Sequence, residues 1–123
     1  MSQMDTGHDT LKPPRFALST TIIGDTAVID DVAVGLTVRG ELDIATVGQF
    51  EAVLQGVLGK PGLSRLVLDF APLTFLDASS ITALHFAHHT AQQRGITLTA
   101  TNCRAIVRRA LEITGLYGHL TNN

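Results

Sequence analysis

Residues 65–87 read RLVLDFAPLTFLDASSITALHFA, and the order of signals within this stretch decides the fold. Arg65 to Phe70 is short and continuously apolar at its centre, the pattern of a strand covered on both faces in the middle of a sheet. After Phe75 and Leu76 comes Asp77, a residue type that caps helices because its carboxylate accepts a backbone N–H left without an intrahelical partner. Ala83, Leu84, Ala87 and Ala91 then fall on one helical stripe, and Gly95 supplies the stop. A central strand followed by a capped, one-sided helix is the repeating unit of an α/β fold.

The flanking sequence extends this unit in both directions. Downstream, Ile96 to Ala100 alternates as another strand, and Cys103, Ile106, Val107, Ala110 and Leu111 recur at the period of an amphipathic helix that Gly115 closes. Upstream, Phe16 to Ile23 and Val32 to Val38 read as two antiparallel strands, joined over 24–31 by a turn or a short extra strand. Thr46 followed by Gln49 has the spacing of a capping box, and Val47, Phe50, Leu54, Val57 and Leu58 form one apolar stripe up to Gly59 and Pro61. Strands alternating with helices imply parallel crossovers beside the antiparallel pair, hence a mixed sheet with covering helices.

Composition bounds the function. A chain of 123 residues with 45% hydrophobic residues builds one core, so a single domain is expected over 16–120. Residues 1–15, ending in Pro13-Pro14, read as a loose tail, and residues 121–123 as a short C-terminal one. Nine Lys and Arg against eleven Asp and Glu give a net charge of −2, which argues against a nucleic-acid partner. With no apolar run long enough for a membrane span or a signal peptide, and one cysteine, Cys103, the expected location is the cytoplasm without membrane insertion.

Enzymatic constellations fail on particular residues. Ser79 follows a strand and opens a helix, as a hydrolase nucleophile does, but 76–81 lacks the glycines of a nucleophile elbow. Gly59-Lys60 is followed by Pro61, where a phosphate-binding loop needs Ser or Thr. His85 and His89, one helical turn apart, lack the Glu of the zinc-protease pattern because position 86 is Phe, and with His88 they are read as a solvated polar face. Arg104, Arg108 and Arg109 read as the exposed side of the last helix, and Cys103 as a small core residue. Neither a metal nor a cofactor is expected, and the chain is read as a non-enzyme.

Four segments, in order, carry a family resemblance: Val38-Arg39-Gly40-Glu41-Leu42-Asp43-Ile44-Ala45-Thr46, Leu66 to Phe70, Phe75-Leu76-Asp77-Ala78-Ser79-Ser80-Ile81, and Val107 to Leu116. Together they make residues 16–120 resemble the STAS domain of bacterial anti-sigma factor antagonists. The resemblance implies a partner-switching protein that binds an anti-sigma factor, commonly also a serine kinase using ATP, and so frees a sigma factor indirectly. It also implies that phosphorylation of a serine at the helix start ends the interaction, and Ser79 matches that serine. Glu41, Asp43 and Thr46, with Asp77, Ala78, Ser79, Ser80 and Ile81, are the expected partner-binding residues. Alternatively, the same fold implies a STAS subunit of a lipid-transport complex or of a stress-signalling scaffold.

The chain departs from the family's usual Asp-Ser-Ser-Gly or Asp-Ser-Thr-Gly at Ala78 and Ser80, the latter offering a second acceptor. If Asp77 is the cap, Ser79 lies two residues into the helix, where backbone amides tolerate a phosphate. Ser80 is rotated by about 100° toward the Leu84 stripe and should be less accessible.

Overall fold

The computed structural model describes residues 16–23 and 31–121. The expected N-terminal tail, most of the 24–31 connection and residues 122–123 lie outside the described residues. Among the described residues nine elements follow in order: β1 (Phe16–Ile23), β2 (Val32–Leu42), α1 (Val47–Leu58), β3 (Leu63–Asp69), β4 (Leu73–Leu76), α2 (Ala78–Gln93), β5 (Thr97–Thr101), α3 (Ala105–Ile113) and α4 (Leu116–Thr121).

Among the described residues the strands form one five-stranded mixed sheet in the order β1-β2-β3-β5, with β4 also paired to β2. β1 runs antiparallel to β2, placing Leu18 opposite Val38 and Ile22 opposite Val34. The β2–β3, β2–β4 and β3–β5 pairings are all parallel. The expected α/β fold, a mixed sheet with covering helices, is therefore present.

One face of the sheet carries Val34, Leu36, Val38, Leu66, Leu68, Leu98 and Ala100, all buried beneath helices whose inward residues include Phe50, Leu54, Leu84, Ala87 and Leu111. The alternate residues Arg65, Thr97 and Thr101 are exposed, and Thr37, Val67 and Thr99 are half-buried. β3 is central, as expected, but among the described residues no helix covers its second face. On that second face Val67 lies between Gly35 and Thr99 of the neighbouring strands and is half-buried.

The C-terminal helices differ from the sequence expectation. α3 begins at Ala105, so Cys103 precedes it, and Ile106 and Ile113 are 56% and 74% exposed. Val107 and Leu111 alone make its fully buried edge, because the chain turns at Gly115, where φ is 77°. α4, which the sequence reading omits, then sends Leu116 and Leu120 into the core. Arg108 bridges the two helices, with its guanidinium 5.0 Å from the centre of the Tyr117 ring and a 3.2 Å ion pair to Glu112. Among the described residues no helix is long and apolar enough to cross a membrane.

His85 and His89 are exposed as expected, whereas His88 is half-buried with its ring centre 5.1 Å from that of His119 on α4. Burial, together with the positive charge that His119, His85 and His89 would carry, lowers the pKa of His88. The native state therefore resists a proton that the unfolded chain accepts, and stability should fall as pH drops from the ordinary imidazole range toward the lowered folded value. Urea midpoints measured at pH 7.5 and 5.5 should show this loss, and it should be smaller in His119→Gln. Leu36→Ala, at a fully buried position, should cost about 2–5 kcal/mol in the same assay, whereas Ile113→Ala should change stability by less than about 0.5 kcal/mol.

Candidate functional site

The site forms where β2 and β4 end beside one another, with Leu42 paired to Leu76. Leaving β2, the chain makes a tight turn at 43–46 before entering α1. Asp43 accepts from the N–H groups of Ala45 at 2.9 Å and Thr46 at 3.2 Å, and the Asp43 carbonyl accepts from Val47 N at 2.7 Å. Thr46 therefore holds the N-cap position of α1, as expected, but its side chain makes no cap hydrogen bond, and the Asp43 carboxylate closes the turn ahead of the helix. The Thr46 hydroxyl points back along the chain instead, donating to the Glu41 carbonyl and accepting from Asp43 N, both at 2.9 Å. The capping-box reading of Thr46 and Gln49 is thus corrected: a stronger acceptor three residues earlier starts the turn before α1 does.

α2 begins as the sequence implies. Asp77 is its cap, with extended backbone, and its Oδ1 accepts from Ser80 N at 3.1 Å. The Ser79 hydroxyl donates to the same oxygen at 2.6 Å. Oδ2 faces the other way and accepts from Ile44 N, in the 43–46 turn, at 3.1 Å. These donors favour the charged carboxylate and hold the Asp77 pKa below the ordinary aspartate value, the Ser79 bond being the largest contribution.

Two hydrogen bonds tie α2 to the end of β2, both at the carbonyl of Leu42: Asp77 N donates at 3.1 Å and the Ser80 hydroxyl at 2.7 Å. Ser80 is completely buried. Its side chain follows the inward stripe, as its rotation from Ser79 implies, while Ser79 remains partly exposed.

A STAS family model matches residues 25–122. The chain belongs to the STAS domain family. No curated protein sequence matches it significantly. Similar solved structures include the anti-sigma factor antagonist SpoIIAA in its unphosphorylated form, 18% identical with a TM-score of 0.64 over 80% of this chain and 83% of that one. The Bacillus cell fate determinant SpoIIAA in its phosphorylated form is 17% identical, with a TM-score of 0.61 over 84% and 88%. A sulfate transporter family protein from Wolinella succinogenes is 18% identical, with a TM-score of 0.61 over 72% and 70%.

In this STAS domain the residues singled out in the sequence gather at one end of the sheet, with differing accessibility. Glu41 and Ala78 are exposed, and Asp43, Thr46, Asp77 and Ser79 are partly so; Ser80 and Ile81 are turned into the core. Two residues of this end escaped the sequence reading. Ile44 is 76% exposed although its N–H is fixed by Asp77, and Phe75 on β4, paired with Glu41, is 41% exposed. Ile44 falls in a segment that reads as a turn, and nothing in Glu-Leu-Asp-Ile-Ala-Thr marks it as the residue whose side chain faces solvent.

The remaining candidates lie elsewhere. Arg104 donates to the Ala71 carbonyl at 2.7 Å. Cys103 is half-buried, and burial raises its pKa, which disfavours the reactive thiolate. Among the described residues no group of three or more His, Cys, Asp or Glu is placed to hold a metal ion. Ser80→Ala should cost about 1 kcal/mol in equilibrium unfolding, since the Leu42 carbonyl keeps Asp77 N as a donor. Asp43→Ala, which leaves two turn amides without their acceptor, should cost about 1–2 kcal/mol.

Proposed function

We propose that this chain is a cytoplasmic, non-enzymatic anti-sigma factor antagonist. It binds an anti-sigma factor through the end of the sheet that carries the 43–46 turn and the start of α2, which frees a sigma factor. Phosphorylation of Ser79 ends the binding. The observation that carries this reading is the placement of Ser79: a partly exposed hydroxyl in the first turn of a helix, joined through Asp77 to the turn that carries the exposed Ile44. Family membership supports it, as does likeness in fold to an antagonist described in both unphosphorylated and phosphorylated forms.

In the switching step, the Ser79 oxygen forms a bond to the γ-phosphorus of ATP as the bond from that phosphorus to the β–γ bridging oxygen breaks. ADP leaves and the hydroxyl proton passes to a base or to solvent. The product carries a charge of about −1.5 to −2. The first-turn amides and the helix dipole tolerate that charge, so the fold persists. A partner packed closely over the helix start meets new bulk, a hydrated group and repulsion, so the cost falls on binding.

Ser80 is the weaker acceptor, because its hydroxyl is buried and already committed to Leu42. The fold shared with a sulfate transporter family protein favours a second reading, in which the domain docks within a transport or scaffold assembly without being phosphorylated. Incubation with the cognate anti-sigma kinase and ATP separates the two. Under the leading reading one phosphate appears on Ser79, Ser79→Ala binds the anti-sigma factor but resists phosphorylation, and Ser79→Asp binds poorly. Ser80→Ala remains a substrate. Phosphate localised to Ser80 by mass spectrometry, or absent from both serines with an active kinase, would overturn the assignment.

A further inference from the structure

The Asp77 carboxylate has two oxygens that look toward different parts of the site. Oδ1 takes the Ser79 hydroxyl at 2.6 Å, Ser80 N at 3.1 Å and lies 3.0 Å from the Ser80 hydroxyl, all within α2. Oδ2 takes Ile44 N at 3.1 Å, reaching across to a turn 33 residues earlier. The shortest of these contacts is the one a phosphate would remove. Esterification removes the proton of the Ser79 oxygen and leaves a phosphate that is mostly dianionic at neutral pH, so a bond between donor and anion becomes a contact between two anions.

We propose that Asp77 relays the state of Ser79 to the 43–46 turn: a phosphate on Ser79 drives the Asp77 carboxylate from its present position and releases the backbone N–H of Ile44. The inference rests on the reading that Ser79 is the switched residue, and it adds how the modification changes the surface beyond its own charge. Ile44 presents an apolar side chain at 76% exposure on a backbone whose N–H is held by Asp77. Asp43 and Thr46 hold the rest of the turn, so the turn stays folded while Ile44 loses its fixed position. Phosphorylation then removes an ordered apolar contact at the same time as it adds charge. Asp77 acts here as a positioning residue.

The test uses the full chain with phosphoserine placed at position 79 during synthesis, so that it depends on no kinase. The reporter is the Ile44 amide in a proton–nitrogen correlation spectrum. In the unmodified chain its proton resonance should follow the Asp77 carboxyl as that group titrates at acid pH, below the ordinary aspartate range. With phosphoserine at 79 the Ile44 amide should shift upfield at neutral pH and exchange with solvent about tenfold faster, as expected for loss of a hydrogen bond to a charged acceptor. Ser79→Ala, which removes the donor without adding charge, should leave Ile44 close to its original position. Asp77→Asn should shift Ile44 in the unmodified chain and abolish any further shift on adding phosphoserine; if this variant does not fold, Asp77→Ser, which retains a capping side chain, takes its place.

An Ile44 amide that neither shifts nor exchanges faster when phosphoserine is present overturns the relay. If anti-sigma binding is nevertheless lost, the switch at Ser79 stands without it. If Ile44 is released and binding is unaffected, the relay stands and the functional reading fails.

Discussion

The Leu42 carbonyl is where the sheet and the functional helix are joined. It accepts from Asp77 N and from the Ser80 hydroxyl, so the last residue of β2 fixes both the cap and the first inward side chain of α2. With that end pinned, Ser79 has only one rotational position, and it lies toward solvent. Asp77 is held in turn by its own N–H on one side and by Ser79, Ser80 and Ile44 on the other. Hydrogen bonds linked in this way depend on one another, and loss of any member would be felt at the others.

The difference between Ser79 and Ser80 shows how strongly a helix sorts adjacent residues. Both are small hydroxyl side chains, and a rotation of about 100° separates them. That rotation puts Ser80 beneath the sheet end, where its hydroxyl meets the Leu42 carbonyl at 2.7 Å and Asp77 Oδ1 at 3.0 Å. A glycine at this position would leave that carbonyl with one donor fewer. The serine here gives the helix start a firmer attachment to β2.

The parts of the molecule legible in the sequence are those where one residue type has one good physical solution. Asp77 before a run of small and apolar residues caps a helix, and the alternation in β2 and β5 places their buried faces correctly. The misreadings arise where two solutions compete. Thr46 and Gln49 satisfy the spacing of a capping box, yet Asp43 accepts more strongly and starts the turn sooner. Ile106 satisfies the helical period, yet α3 is nine residues long and buries a narrow edge, because α4 fills the adjoining core with Leu116 and Leu120. Ile44 was illegible for a different reason: nothing local says which residue of a turn presents its side chain to solvent, and here bonds at Asp43 and Asp77 decide it.

β2 pairs with three strands, β1 on one side and β3 and β4 successively on the other. The partners β3 and β4 arrive only after α1 has crossed over, so two parallel pairings require closure of long loops before they gain contact. A chain emerging from the ribosome would have β2 waiting, with one edge open in whole or part, until residues up to Leu76 had been made. The strand that positions the functional end is therefore also the segment most exposed to mispairing during synthesis, and α1, which can form locally, is the element available to shield its apolar face in the interval.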